Sequence, residues 1–189
     1  MYETGIYTTT TVPAEEPLTV AEVKTFLKVD HATEDTLIGV LIQAARESVE
    51  KYCRIAVIEQ GITEFYPRFL PYGLRLSVSP LVSVEEVTYI DAGGTEQTLL
   101  PAIYGVYLEV KPPIVFLTYG QTFPTTRPQP NAVKVEYTAG YADAASVPAA
   151  IRQAMYLMIA DWYDNRTDSV RTMPTASQVL LNQYRVNYY

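Results

Sequence analysis

Apolar residues recur at helical spacing in two stretches of the chain and alternate with polar ones in the long stretch between them. In the first stretch Leu37, Leu41, Ala45, Ser48 and Tyr52 share one helical face, and Ile38, Ile42 and Val49 widen it. This pattern predicts a helix buried on one side along about five turns. The opposite side carries Gln43, Arg46, Glu47, Glu50 and Lys51, and Thr33-Glu34-Asp35 supplies a start signal with acids where the helix dipole favours them. A shorter helix is predicted just ahead, from Thr19 to Lys28. Thr19 is a good N-cap, Glu22 completes a capping box, and Leu18 with Val23 forms a hydrophobic staple.

The second helical stretch opens at Ser146-Val147-Pro148, a cap candidate followed by a first-turn proline. Ile151, Met155, Met158 and Trp162 line one face, with Ala154, Leu157 and Ile159 beside them, and the pattern ends near Asn165. A methionine and aromatic stripe at this spacing reads as core, and this helix is expected to pack on the long one.

Between these stretches the period changes. Val84 to Ile90 and Thr95 to Leu99 flank Asp91-Ala92-Gly93-Gly94, a strong hairpin turn because glycine accepts positive φ. Ile114 to Tyr119 is a continuous apolar run fit for a buried strand, whereas Val133, Val135 and Tyr137 alternate with Lys134, Glu136 and Thr138 and predict a strand with one wet face. Two loops interrupt the strands. Pro67 to Gly73 carries Phe69, Leu70 and Tyr72 and either caps the core or projects as a contact; Gly120 to Pro130, with Phe123 its one bulky apolar residue and Arg127 near its end, is too rich in proline for a helix and reads as an extended surface arm. On a single molecule that arm is a decorated turn; in a ring it could lie against the next subunit.

The closing segment reads as a short helix from Thr175 to Gln183 followed by a β-prone tail. Tyr184, Val186, Tyr188 and Tyr189 alternate with Arg185 and Asn187 as in an extended strand. The tail is expected either to be pinned to its own domain or to add to a partner by main-chain pairing, and the second fits the alternation better.

Composition narrows the function. At 189 residues, 48% of them apolar and 19% charged, the chain fits one globular domain. No apolar run reaches the length of a membrane span, and the N-terminus lacks the basic and apolar regions of a secretory signal, which predicts a soluble protein without membrane contact. A net charge of −7 argues against tight nucleic-acid binding, since Lys and Arg supply most of that affinity. The acidity reads as plain solubility; only on a protein that surrounds a DNA channel would an acidic wall let DNA slide without sticking.

Candidate chemistry is sparse. The single cysteine, Cys53, excludes an internal disulfide and reads as a packing residue at the end of the long helix; the single histidine, His31, falls in an interhelical linker. Gly93-Gly94 belongs to a hairpin and Gly140-Tyr141-Ala142 opens no phosphate loop. Asp161 and Asp164 lie three apart at a helix end without an evident third ligand, and Glu85 and Glu86 are strand neighbours facing opposite sides. No catalytic residue, metal or cofactor is expected.

Several motifs in fixed order resemble one family. Glu16-Pro17-Leu18-Thr19 precedes the first helix, and an aspartate, His31 and the acidic Glu34-Asp35 lead into the second. Then come Arg127-Pro128-Gln129-Pro130-Asn131-Ala132-Val133, Tyr137-Thr138-Ala139-Gly140-Tyr141, Val147-Pro148-Ala149-Ala150-Ile151 and Trp162-Tyr163-Asp164-Asn165-Arg166. This order resembles the head-tail connector, or adaptor, proteins of long-tailed bacteriophages, a family also labelled possible DNA-packaging proteins. The Thr8 to Thr11 run and the tyrosine-rich tail depart from it. The resemblance implies a structural ring subunit, usually dodecameric, that sits beneath the portal protein in the virion neck and links it to a stopper or tail-completion protein. DNA would pass through the channel without specific binding.

The combined expectation is an α+β chain, a small helical bundle with an inserted antiparallel β-sheet or half-barrel. It would form a single domain over 1–189, with a helical part at 19–53, a β-rich insertion at 54–140, a core helix at 147–166 and a closing helix and tail at 174–189. Leu37, Leu41, Ala45, Tyr52, Ile151, Met155, Met158 and Trp162 are assigned to the helical core. Phe69, Leu70, Tyr72, Phe123 and Arg127 are assigned to subunit or stopper contacts, and Tyr184, Arg185, Val186, Tyr188 and Tyr189 to portal docking. The competing expectation is an accessory tail or baseplate protein that binds another protein through the sheet and aromatic loops.

Overall fold

A computed structural model describes residues 5–165 and 173–186. Tyr188, Tyr189, Asn187 and Arg166, named above, lie outside the described residues. Four helices and two antiparallel sheets give an α+β fold, and neither sheet closes into a barrel among the described residues. Backbone packing divides the chain into two compact units, one of helices (13–58, 141–165 and 173–185) and one of strands (5–12, 59–140 and Val186).

In the helical unit, α1 spans Val20–Leu27 and opens on the predicted capping box. The Glu22 amide donates to Thr19 Oγ1 at 3.2 Å, and the Thr19 amide donates to Glu22 Oε2 at 2.8 Å. Two of the helix's orphan amide groups are thereby satisfied. Lys28, in left-handed conformation at φ 59°, ends it. The long helix α2 spans Asp35–Cys53 and ends at Arg54, also left-handed at φ 56°. Helix α3 spans Ala149–Asp164, packs on α2 as expected, and also meets α4, Thr175–Leu181. A short 3-10 turn, Asn182–Tyr184, follows α4.

The buried stripe of α2 is displaced from the one the pattern suggested. Ile38, Ile42, Ala45, Val49 and Cys53 are buried; Leu41 and Tyr52 are half-buried, and Leu37 is 37% exposed. Arg46, placed by the pattern on the wet side, is 6% exposed. The physical reason is ionic: Arg46 Nε donates to Glu16 Oε2 at 2.9 Å and its Nη1 to Glu50 Oε2 at 2.9 Å, so its charge goes inward with partners and turns the stripe toward Ile38. On α3, Ile151, Met155 and Met158 are buried with Ala154 and Ile159, while Trp162 is half-buried.

In the strand unit one sheet has the order β1-β2-β8-β4-β5, built from Ile6–Thr11, Gln60–Tyr66, Val133–Ala139, Leu81–Ile90 and Glu96–Thr98. The other has the order β3-β7-β6, built from Leu74–Arg75, Ile114–Leu117 and Tyr104–Tyr107. Strand β8 lies at the centre of the larger sheet, and its Val133, Val135, Tyr137 and Ala139 are buried while the residues between them are half-buried. The β4–β5 hairpin closes at the predicted turn, where the Thr95 amide donates to Asp91 Oδ1 at 3.0 Å and Gly94 takes φ +91°. The apolar run at β7 is not a buried strand: Val115 is buried, but Phe116 is 41% exposed, and Tyr119 beyond it is fully exposed. A three-stranded sheet gives a central strand alternate covered and open sides, so unbroken apolarity here does not mean burial on both. Strand β1, formed by the threonine run, was not anticipated.

Candidate assembly surfaces

The root of the C-terminal tail is fastened within the helical unit. Ser177, buried on α4, donates to the Ala154 carbonyl of α3 at 3.1 Å, and the buried Cys53 thiol donates to the Leu181 carbonyl at 3.6 Å. Burial pushes the Cys53 thiol up to about 11, which makes it inert. Tyr52, assigned to the core by its spacing, instead holds the tail. Its hydroxyl donates to Asn182 Oδ1 at 2.8 Å, and the Arg185 guanidinium lies 5.2 Å from its ring centroid. Of the docking residues, Tyr184 is half-buried in the 3-10 turn, Arg185 is exposed, and Val186 is 3% exposed. The described part of the tail, Tyr184 to Val186, is therefore not the expected free strand.

The two interrupting loops of the strand unit meet each other. Phe69 and Phe123 stack with centroids 4.4 Å apart and planes 5° from parallel, and Phe69 meets the Tyr89 ring edge-on at 5.7 Å. Such pairs add to simple area burial. The proline-rich arm is also tied to the hairpin, for the Arg127 amide donates to the Ile90 carbonyl at 3.0 Å and Asp91 bridges to Thr126. The Arg127 guanidinium lies where a side chain at Gly94 would stand, which gives that glycine a second reason besides its φ. The arm is thus a folded-back brace. Leu70 is half-buried and Tyr72 is 84% exposed, so Tyr72 is the aromatic residue these loops present outward.

Asp161, Glu85, Glu86 and His31 are engaged structurally, and Asp164 is exposed. Asn165 Nδ2 donates to the Asp161 carbonyl at 3.0 Å and to its Oδ1 at 3.2 Å, closing the end of α3. Glu85 accepts from Ser83 at 2.6 Å and Thr138 at 2.8 Å, and Glu86 accepts from Thr98 at 2.9 Å. His31 Nδ1 lies 3.0 Å from the Thr33 hydroxyl in the exposed linker. Among the described residues no group of three His, Cys, Asp or Glu side chains could hold a metal ion, and no helix among them is long and apolar enough to cross a membrane.

One buried acid escaped notice in the sequence. Glu64 on β2 is 0% exposed and accepts from the Ser77 hydroxyl at 2.5 Å, the Ser77 amide at 2.8 Å and the Tyr137 hydroxyl at 2.9 Å. Burial raises its carboxyl above the usual range despite these donors. Its place inside the apolar run Ile62-Thr63-Glu64-Phe65-Tyr66 is the signal that could have found it.

A family model described as head completion protein matches residues 16–184. The chain belongs to the head completion protein family. Three solved structures share the fold of this head completion family member. A chain from the neck of an empty GTA particle computed with C6 symmetry is 22% identical, covers 97% of both chains and superposes with a TM-score of 0.82. A chain from the virion of a native gene transfer agent (GTA) particle gives the same identity, coverage and score. A chain from the neck of a native GTA particle computed with C12 symmetry is 21% identical over 97% of both chains, with a TM-score of 0.76. No curated protein matches the chain.

Proposed function

We propose that this head completion protein is a head-tail connector, or adaptor, subunit of a tailed phage-like particle. Copies assemble into a ring, dodecameric in its expected form, beneath the portal; the ring joins the head to the stopper or tail and leaves a channel for DNA. It resides in the virion neck after assembly in the host cytoplasm, and it catalyses no reaction. The observation that carries this reading is a fold held over 97% of the chain in common with chains of gene transfer agent particles, two of them from necks described with rotational symmetry. The family match supports it, as does the net charge of −7, which disfavours adhesion of DNA to the channel wall.

The portal is bound by the C-terminal tail. The anchoring of Asn182 and Arg185 on Tyr52 supports this assignment, because it holds the root of the tail in one place. Arg185 is the exposed charge of the docking element, Tyr184 and Val186 hold its base, and Tyr188 and Tyr189 supply the apolar contact. Tyr72 and Leu70 meet the stopper or a neighbouring subunit, with Phe69, Phe123 and Arg127 shaping the loops that carry them.

Co-sedimentation of the purified full chain with the portal ring of the same particle tests the assignment. Tyr188→Ser/Tyr189→Ser and Arg185→Glu should each lose portal binding with the helical circular dichroism unchanged. Full binding by both variants would sink the docking role of the tail. Failure of the unaltered chain to bind the portal, with binding to a tail or baseplate protein instead, would favour the accessory module over the connector.

A further inference from the structure

Among the described residues, two strand edges carry neither charge nor proline, two of the devices by which proteins keep sheets from pairing. Strand β1 lies at the end of the five-stranded sheet, all six of its residues are exposed, and Ile6-Tyr7-Thr8-Thr9-Thr10-Thr11 contains no charge and no proline. Its register on β2 shifts between Thr9 and Thr11, which confines the regular edge to Ile6–Thr9. Strand β6 lies at the end of the three-stranded sheet and presents an edge of the same length, Tyr104-Gly105-Val106-Tyr107, again without charge. The opposite ends are blunted: β5 has three residues and carries Glu96, ion-paired with Lys134 at 3.6 Å, and β3 has only two. Charge and very short length are usual protections of an edge, and an uncharged edge leaves its main-chain groups open to another strand.

We propose that the β1 edge of one copy pairs by main-chain hydrogen bonds with the β6 edge of the next copy. This rests on the ring reading above and says which surfaces join its subunits. The occupant is a second copy for two reasons. Each chain carries −7, so copies repel except where their contact surfaces are uncharged, and these two edges are uncharged. The edges are also different surfaces, so their contact is heterologous, the kind that repeats around a ring rather than stopping at a two-fold dimer. Apolar side chains flank both: Ile6 and Tyr7 are 74% and 41% exposed on one side, and Tyr107 and Leu108 are 48% and 50% exposed on the other. Strand addition of this sort draws affinity from the main chain and specificity from such flanking side chains.

Thiol cross-linking of the full chain on its portal ring tests the pairing. Thr8→Cys/Val106→Cys is treated with a short bismaleimide linker, and Tyr7→Cys/Tyr107→Cys covers a shifted register. Cys53, buried with its thiol pushed up to about 11, does not compete. The expected result is a ladder of covalent multimers beyond the dimer from at least one double variant, with each single variant remaining monomeric on a denaturing gel. Rings visible by negative stain with no ladder from either pair would overturn the edge pairing and leave the ring reading standing. Dimers from Thr8→Cys or Tyr7→Cys alone would overturn it by showing β1 against itself. Neither rings nor ladder would overturn both readings.

Discussion

Arg46→Ala should be among the most damaging single substitutions in the helical unit. Arg46 side-chain exposure is 8%, and it contacts two acids at once: Glu16 at 2.9 Å and 3.2 Å, from the segment ahead of α1, and Glu50 at 2.9 Å, one turn along α2. Glu50 is 15% exposed and also accepts the Val57 amide at 3.0 Å, so the cluster joins three segments of chain. Burial already raises the Glu50 carboxyl despite the amide and the guanidinium that oppose it. Removing Arg46 takes its guanidinium from that half-buried carboxylate, and breaking one partner out of a buried pair costs about 3–5 kcal/mol. The Glu16 contact adds little, because its carboxylate is 34% exposed and screened by solvent. A loss near about 3 kcal/mol corresponds to a fall in Tm of about 6–12 °C for a chain of this size. Urea unfolding followed by circular dichroism at the helical band measures it, together with Glu50→Gln and the double variant Arg46→Ala/Glu50→Gln. The double should lose less than the sum of the singles, since the carboxylate that faced the guanidinium is no longer charged. A cost below about 1 kcal/mol for Arg46→Ala, or losses that simply add, would refute the ionic account of the buried stripe.

Glu64 makes wild-type stability depend on pH in an unusual direction. Its folded carboxyl titrates above its unfolded value, so the folded state holds the proton longer; the full contribution is present below the ordinary glutamate range and is lost as pH rises through the folded value. Glu64→Gln should therefore flatten the decline of stability from about pH 4.5 upward, and an unchanged slope of unfolding free energy against pH would count against a buried, titrating Glu64. Thr19→Ala removes the cap of α1 and should cost about 1 kcal/mol in urea unfolding, with Glu22→Ala in the same background adding only the loss of the solvent-screened Glu22–Arg152 pair, less than about 1 kcal/mol. Phe123→Ala unstacks Phe69 and should cost about 1–2 kcal/mol while speeding proteolysis within the proline-rich arm; undiminished protection would show that the brace does not depend on the ring pair.

What could be read from the chain follows the range of the forces involved. The capping box at Thr19 and Glu22, the turn at Asp91 to Gly94 and the alternation along β8 are local, and each was legible because neighbours in sequence satisfy one another. The face of α2 was misread by about one residue because the partner that turns Arg46 inward, Glu16, is remote from it in sequence. The threonine run became β1 only because β2 offers an edge for it, and a polar strand exposed along its length leaves no alternation to detect. Phe69 and Phe123 were both singled out, yet their stacking on each other, which turns two separate loops into one brace, depends on contacts the spacing could not carry. Tyr52 was placed correctly on its helix but its partners, Asn182 and Arg185, lie at the far end of the chain.

The connector reading is tested most directly by electron microscopy of the full chain mixed with the portal ring of its own particle. The account predicts closed rings of the portal's symmetry stacked on its narrow end, with a continuous axial channel. Portal rings that remain bare while the chain stays dispersed at saturating concentration would contradict it.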